Sequence, residues 1–313
     1  MVRVVRWGRS AYETDNDLRT ERLDAEGLGC EWVHVPHPTP PELLRPADVL
    51  VVTSGVRVSE PVARGISGGL VVATTSGVDH IDLDACTRYG VRVVRLPEAR
   101  RDAVVEHALA SMIWLMRRFP ALETFAHASV WARDQLPTLA PVGIRGATVA
   151  VVGMGVIGVR MAGVIESLGG RVLAVDPAGV PAPFASCSLE DALRMADAVT
   201  VHCALTVSSR GLFSADRIRQ LGSTAVLVNT ARGEVVDVRA AVDAVRDGLI
   251  RGFASDVFPV EPYPEMALSQ LPGVVFSPHS AGYVHDLGRR VAAGVAQALH
   301  AWKHGLPLPY AVV

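Results

Sequence analysis

Apolar residues along the chain fall into short Val/Ile-rich runs bounded by Gly, Pro or charged residues, and these runs alternate with segments whose apolar positions recur every three or four residues. Runs at 2–7, 31–35, 49–54, 70–75 and 91–96 read as strands buried on both faces, as parallel sheets require. Between them, 20–26, 59–66 and 83–89 carry helical spacing or helix-start signals. The alternation resumes at 147, with strands at 148–152, 171–175, 198–203, 225–230, 251–257 and 274–277 and helices at 157–168, 189–195, 215–221 and 238–247. Two longer amphipathic stretches, 101–118 and 284–304, frame this second series. A helix-like piece at 122–133 and a loop at 134–146, where Pro137 and Pro141 discourage regular structure, follow the first of them. The order predicts an α/β protein with two open, doubly wound parallel-sheet domains rather than a barrel.

One stretch organises the second series. The run from Thr148 breaks into Gly153-Met-Gly155-Val-Ile-Gly158, continues as a helix and returns as a second apolar run ending in Asp176. Gly153 permits a tight turn, Gly155 lets backbone approach a pyrophosphate, and Gly158 allows close packing of helix on strand. Asp176 stands where a carboxylate meets a ribose 2'-hydroxyl. No arginine follows it at once to neutralise a 2'-phosphate, so NAD is expected over NADP.

Composition narrows the classes. Half of the 313 residues are hydrophobic and the formal net charge is -2, with charges dispersed. Two cores can be buried, and neither a nucleic acid nor a membrane surface is an expected partner. The first strand is interrupted by arginines and no apolar run is long enough to span a bilayer, so a cytoplasmic protein is expected. Cys30, Cys86, Cys187 and Cys203 lack metal-ligand spacing, so neither a zinc site nor a disulfide framework is expected. Lys303 is the only lysine, which removes Walker A and Schiff-base chemistry.

Three polar residues stand at predicted strand ends: Arg232 in Val228-Asn-Thr-Ala-Arg-Gly233, Glu261 in Asp256-Val-Phe-Pro-Val-Glu-Pro262, and His279 in Ser277-Pro-His-Ser-Ala-Gly282. Ligands of open α/β sheets bind beyond the C-terminal strand edges. His279 can exchange a proton near neutral pH, Glu261 would orient it and favour its charged form, and Arg232 offers a planar fork to a carboxylate. The set suits hydride transfer to a 2-keto acid.

These motifs together resemble the NAD-dependent D-isomer specific 2-hydroxyacid dehydrogenases over nearly the whole chain. Thr75-Ser-Gly77-Val-Asp79-His-Ile-Asp82 resembles that family's substrate-carboxylate loop, and Val104-Val-Glu-His107 the start of its crossing helix. The resemblance implies a Rossmann NAD domain (99–284) inserted in a flavodoxin-like substrate domain (1–98 plus 285–313), and a homodimer formed through the long helix near 101–118. It implies that Arg232 holds the substrate carboxylate and carbonyl, that His279 is the acid/base and that Glu261 pairs with it. Ser54, Ser76 and Gly77 would border the substrate. On the cofactor, Gly153, Gly155, Val156, Ile157 and Gly158 would cover the pyrophosphate and Asp176 the adenosine ribose. Thr230, Ala231, Asp256, Ser280, Ala281 and Gly282 would line the nicotinamide side. No metal is implied.

The pattern departs from the family at two places that bear on substrate. Leu96-Pro-Glu98-Ala-Arg100-Arg101-Asp102 puts two arginines and two acids where a Pro-Gly type turn is usual, which leaves room for a substrate with a second anionic group such as a phosphate or phosphonate. Ser54-Gly-Val-Arg57 lacks the paired arginines of phosphoglycerate dehydrogenases, and the chain ends at Val313 without an added regulatory domain, so serine biosynthesis is not the expected role. Alternatives of other kinds are an NAD(H)-sensing, co-repressor-like binding protein with little turnover, and formate oxidation. The latter is disfavoured by chain length and by the lack of an extra asparagine near the substrate.

Overall fold

The computed structural model describes residues 1–40, 44 and 46–313. Among them the chain forms two compact units, Met1–Arg100 with Tyr283–Val313, and Arg101–Gly282. Each is built on one parallel sheet.

The first unit carries β1 (Val2–Trp7), β2 (Cys30–Val35), β3 (Val49–Val52), β4 (Leu70–Ala73) and β5 (Arg92–Arg95), in the order β2-β1-β3-β4-β5. This is the flavodoxin-like order, with its switch point between β1 and β3. Strand periodicity builds both cores. Val4, Val49, Val51, Leu70 and Val72 face one side, where they pack with Leu287, Val291, Val295 and Leu299 of the helix Leu287–Lys303. Val5, Leu50, Val52, Val71 and Ala73 face the other, against Val62, Ala63, Ala85 and Cys86.

The second unit carries β6 (Thr148–Val152), β7 (Arg171–Val175), β8 (Ala198–Val201), β9 (Val226–Asn229), β10 (Gly252–Ser255) and β11 (Val274–Phe276), in the order β11-β10-β9-β8-β6-β7. A parallel bridge between Ala174 and Ser186 continues the sheet beyond β7. It stands where the third strand of the 3-2-1-4-5-6 order belongs, so that strand is reduced to one pairing. Val149 and Val151 face one core, and Ala150 and Val152 the other.

Several element boundaries differ from the periodicity reading. The first helix is Asp15–Gly27 rather than 20–26, because Thr14 and Asp17 form a reciprocal capping box: Asp17 N–H donates to Thr14 Oγ1 (3.2 Å) and Thr14 N–H to Asp17 Oδ2 (2.8 Å). That motif outweighs a polar first turn. The long helix starts at Glu98, three residues before 101, and ends at Met116. The piece expected at 122–133 is instead Phe119–His127, and a short helix Leu136–Leu139 interrupts the expected loop. Pro120 and Pro137 sit in the first turns of these helices, where a missing N–H costs nothing, so prolines that read as breakers act as starts. No helix among the described residues is long and apolar enough to cross a membrane.

Candidate active site

The glycine loop follows β6 in the way its residues require. Gly153 has φ +96°, its N–H donates to Val175 O (2.8 Å), and a methyl group in its place would lie 2.4 Å from Cys203 N. A methyl group on Gly158 would lie 1.8 Å from Gly153 O, so the helix Val156–Ser167 rests directly on the turn. Gly155 differs from both. It is the N-cap of that helix, makes no side-chain cap, and a methyl group there would meet nothing within 4 Å among the described residues. Bare backbone at the start of a twelve-residue helix is the cradle an anionic pyrophosphate needs, and Val156 and Ile157 form its first turn.

Asp176 lies just beyond β7. Its Oδ2 accepts from Met154 N–H (2.7 Å) and its Oδ1 from Ala178 N–H (2.8 Å). Two of roughly four lone-pair sites are thus used, and each oxygen keeps capacity for a ribose hydroxyl. Loop and carboxylate fit a dinucleotide with a free 2'-hydroxyl. Cys203 borders this loop, and burial pushes its thiol up to about 11, so it stays protonated and inert near neutral pH.

Beyond β9, β10 and β11 lie the polar residues Arg232, Glu261 and His279. Arg232 follows β9 in extended backbone; its Nη1 donates to Ala231 O (2.7 Å), and its carbonyl accepts from Asn229 Nδ2 (3.0 Å). Asn229 Oδ1 accepts from Ala231 N–H (3.0 Å), so one buried amide holds both ends of the Thr230–Arg232 turn. Thr230 Oγ1 lies 3.4 Å from His202 Nδ1, and Thr200 Oγ1 is 2.9 Å from the same ring's Nε2. Burial pulls His202 down to about 4, so this imidazole is neutral near pH 7.

Glu261 and His279 meet directly. His279 Nδ1 is 2.8 Å from Glu261 Oε2, and Phe258 N–H donates to Glu261 Oε1 (3.0 Å). His279 has φ +54°, an uncommon conformation for a residue with a side chain. Asp256 holds it there. The Asp256 carbonyl accepts from His279 N–H (2.8 Å), Oδ1 from Ser280 N–H (2.8 Å) and Oδ2 from Ala281 N–H (2.8 Å). Ser277 Oγ donates to Asp256 Oδ1 (2.6 Å) and lies 3.0 Å from His107 Nε2. The Asp256 side chain is 1% exposed, and these donors satisfy the polar atoms that burial takes from water.

Sequence reasoning singled out Asp256 as a cofactor contact and passed over its grip on the 277–281 loop. The separation of Asp256 from Ser277 along the chain carries no local signal for that grip. It also missed His202, whose partners come from β8 and the turn after β9.

In the first unit, Ser76 and Gly77 lie in a turn after β4, where Thr75 Oγ1 donates to Gly77 O (2.6 Å) and Arg95 Nη1 to Ser76 O (2.9 Å). Ser76 Oγ is buried with no hydrogen-bond partner among the described residues. Ser54 is exposed in the turn after β3. The charged stretch at 96–102 runs into the helix that starts at Glu98, and its charged side chains have protein partners. Arg100 Nη1 donates to Thr74 O and its guanidinium lies 4.9 Å over the Tyr12 ring; Tyr310 Oη donates to Glu98; Asp102 Oδ1 accepts from Arg160 Nε (2.9 Å) and its Oδ2 from Arg101 Nη2 (3.1 Å). Arg100 and Arg101 thus both have protein partners. Among the described residues no group of three or more His, Cys, Asp or Glu is placed to hold a metal ion.

Comparison with known proteins bears on this geometry. Residues 109–281 match the NAD binding domain of the D-isomer specific 2-hydroxyacid dehydrogenases. A D-3-phosphoglycerate dehydrogenase of Synechocystis sp. is 33% identical over 271 residues, covering 85% of this chain and 48% of its own. The chain therefore spans about half the length of such relatives. A glyoxylate reductase of Thermococcus kodakarensis is 30% identical over 309 residues, covering 95% of this chain and 92% of its own. The crystal structure of the TT0316 protein from Thermus thermophilus superposes with a TM-score of 0.81 at 28% identity, covering 99% of this chain and all of that one.

Proposed function

The chain belongs to the D-isomer specific 2-hydroxyacid dehydrogenase family, and from that premise we propose that it is an NAD-dependent reductase of small 2-keto acids, working reversibly on the D-2-hydroxy acids. The observation that carries this reading is the 2.8 Å contact between His279 Nδ1 and Glu261 Oε2, which commits one imidazole nitrogen and leaves Nε2 for substrate. Bound NADH supplies the hydride for C2 of the keto acid. His279 Nε2 gives its proton to the carbonyl oxygen and regains it in the reverse direction. Arg232 binds the carboxylate and polarises the carbonyl with its planar fork. The dinucleotide is held by Gly155 to Gly158 at the helix start and by Asp176 at the ribose. Thr230, Ala231, Asp256 and the Ser280-Ala281-Gly282 backbone bound the nicotinamide side. In the first unit, the turn holding Ser76 and Gly77 carries the substrate contacts, with Ser54 beside them.

The chain is cytoplasmic and dimeric in this reading. Phe119, Val130, Leu136 and above all Trp131, which is 89% exposed, leave apolar surface along 119–136 that a second copy would cover. Light scattering of Trp131→Asp, expected to be more monomeric than the wild type, tests this.

The reaction is tested by following NADH absorbance against a panel of 2-keto acids. Glyoxylate comes first, because the relative acting on it aligns over almost its whole length. D-3-phosphoglycerate with NAD tests the oxidative direction. Turnover with NADH at least about tenfold better in kcat/KM than with NADPH is expected, from Asp176 and the lack of a neighbouring arginine. Tight NADH binding with no turnover of any acid would replace the enzyme by a nucleotide-sensing binding protein.

A further inference from the structure

At the switch point of the first sheet, the chain leaves β1, β2 and β3 around a cavity of about 260 Å³ lined by Gly8, Arg9, His34, His37, Thr53 and Gly55, among others. We propose that this cavity is a binding site for the carboxylate or phosphate group of a small organic acid.

Its walls are suited to a close-fitting anion. Gly8, at φ +80°, and Gly55 present bare backbone; a methyl group on Gly8 would crowd Val56 Cγ2 (3.0 Å) and His37 Cβ (3.4 Å), and one on Gly55 would lie 3.9 Å from the Thr53 hydroxyl. Open α/β sheets bind ligands at this position, outside the carboxyl ends of strands where the order reverses. The volume admits a small acid and is below the usual range for drug-sized ligands.

The polar groups around it can each donate a hydrogen bond. Arg9 uses Nε on Glu13 O (2.8 Å) and Nη1 on Asp15 (2.6 Å), which fixes the guanidinium and leaves Nη2 without a protein partner among the described residues. His34 and His37 make ring contacts, with Trp32 and Trp7, and neither imidazole has a hydrogen-bond partner among the described residues. The acids nearby are engaged: Glu13 and Glu21 hold the buried Arg6, and Asp15 holds Arg9. His34 is drawn below its usual range by burial and by the positive charge of Arg6 and Arg9, with Glu13 opposing. Basic groups that destabilise one another's charge are stabilised together by an oxyanion.

The test uses inorganic phosphate and the intact chain. At constant ionic strength and pH, phosphate is titrated in while the His34 and His37 ring proton signals are followed by NMR. Saturable shifts of both signals are expected, with affinity lowered about ten- to one-hundredfold in Arg9→Met, as for loss of one charge-assisted hydrogen bond. Shifts that do not saturate, or that are the same in Arg9→Met, overturn the site. If Arg9→Met does not fold, His34→Gln with His37 as reporter gives the same decision.

The oxyanion can belong to the substrate or to a separate small molecule, and kinetics distinguish them. Where the 2-keto dicarboxylate loses kcat/KM in Arg9→Met and the monocarboxylate does not, the site reads the substrate's distal group. Equal kinetics alongside saturable phosphate binding assign it to a separate ligand. This arm alone rests on the reductase reading: if neither acid is turned over, that reading falls and the phosphate titration still decides the site.

Discussion

His279 Nδ1 sits 2.8 Å from one oxygen of Glu261 while the other oxygen accepts the Phe258 N–H at 3.0 Å, so the carboxylate is locked from behind before it orients the ring. His279→Ala is expected to lower kcat by about 10² to 10⁴, the range for loss of a positioned acid/base, with NADH affinity within about threefold of wild type. In Glu261→Gln the amide can present an N–H to Nδ1 and so select the wrong tautomer, lowering kcat by about ten- to one-hundredfold. Steady-state kinetics with fluorescence titration of NADH check both, and an unimpaired turnover number in His279→Ala would remove it from the reaction.

Gly155 and Gly158 serve different ends within one motif, and alanine separates them. Gly158→Ala forces a methyl group to 1.8 Å from Gly153 O, so the helix must move off its strand. Loss of stability of about 1–3 kcal/mol or more is expected, seen as a clearly lowered Tm. Gly155→Ala meets nothing within 4 Å among the described residues. Its Tm should stay near wild type while NADH affinity falls at least about tenfold, because the methyl group occupies the space the pyrophosphate needs. Unchanged NADH binding in Gly155→Ala contradicts the assignment of the cradle.

Burial sets the pH dependence contributed by His202. Its folded value is lowered from 6.5 to about 4. Above 6.5 both folded and unfolded states carry it neutral; as pH falls from there toward 4, the unfolded chain takes up the proton and the folded one does not. Stability is therefore full above the unfolded value and declines across that window, by about 1–3 kcal/mol, toward the lower end because the ring keeps some accessible surface. Denaturant unfolding at about pH 7.5 and about pH 5, one above that window and one within it, should show a smaller difference for His202→Gln than for wild type. Equal differences would exclude His202 as the group responsible.

The contact of Ser277 Oγ with both Asp256 Oδ1 and His107 Nε2 ties the helix Glu98–Met116 to the loop bearing His279. Ser277→Ala removes that tie and leaves the Ser280 and Ala281 N–H groups on Asp256. We expect a stability loss of about 1–2 kcal/mol and a severalfold lower kcat with KM for NADH little changed. Wild-type kcat in a demonstrably folded Ser277→Ala would show that the loop holds its shape without it.

The alternation of apolar runs, the glycine spacing and Asp176 are local patterns, and local patterns determined the two parallel sheets, the dinucleotide loop and the family resemblance, because strand period, tight turns and helix starts depend on residues close in the chain. Helix starts were less legible where a capping box or a first-turn proline spoke against the apolar spacing, as at Thr14 and Pro120. Only the tertiary structure decided what Asp256 holds, that His202 is pulled neutral by burial, that Arg100 and Arg101 are already engaged, and that Arg9, His34 and His37 surround one cavity. Each of these follows from groups brought together by strand order and burial, and neither quantity is written in the spacing of residues along the chain.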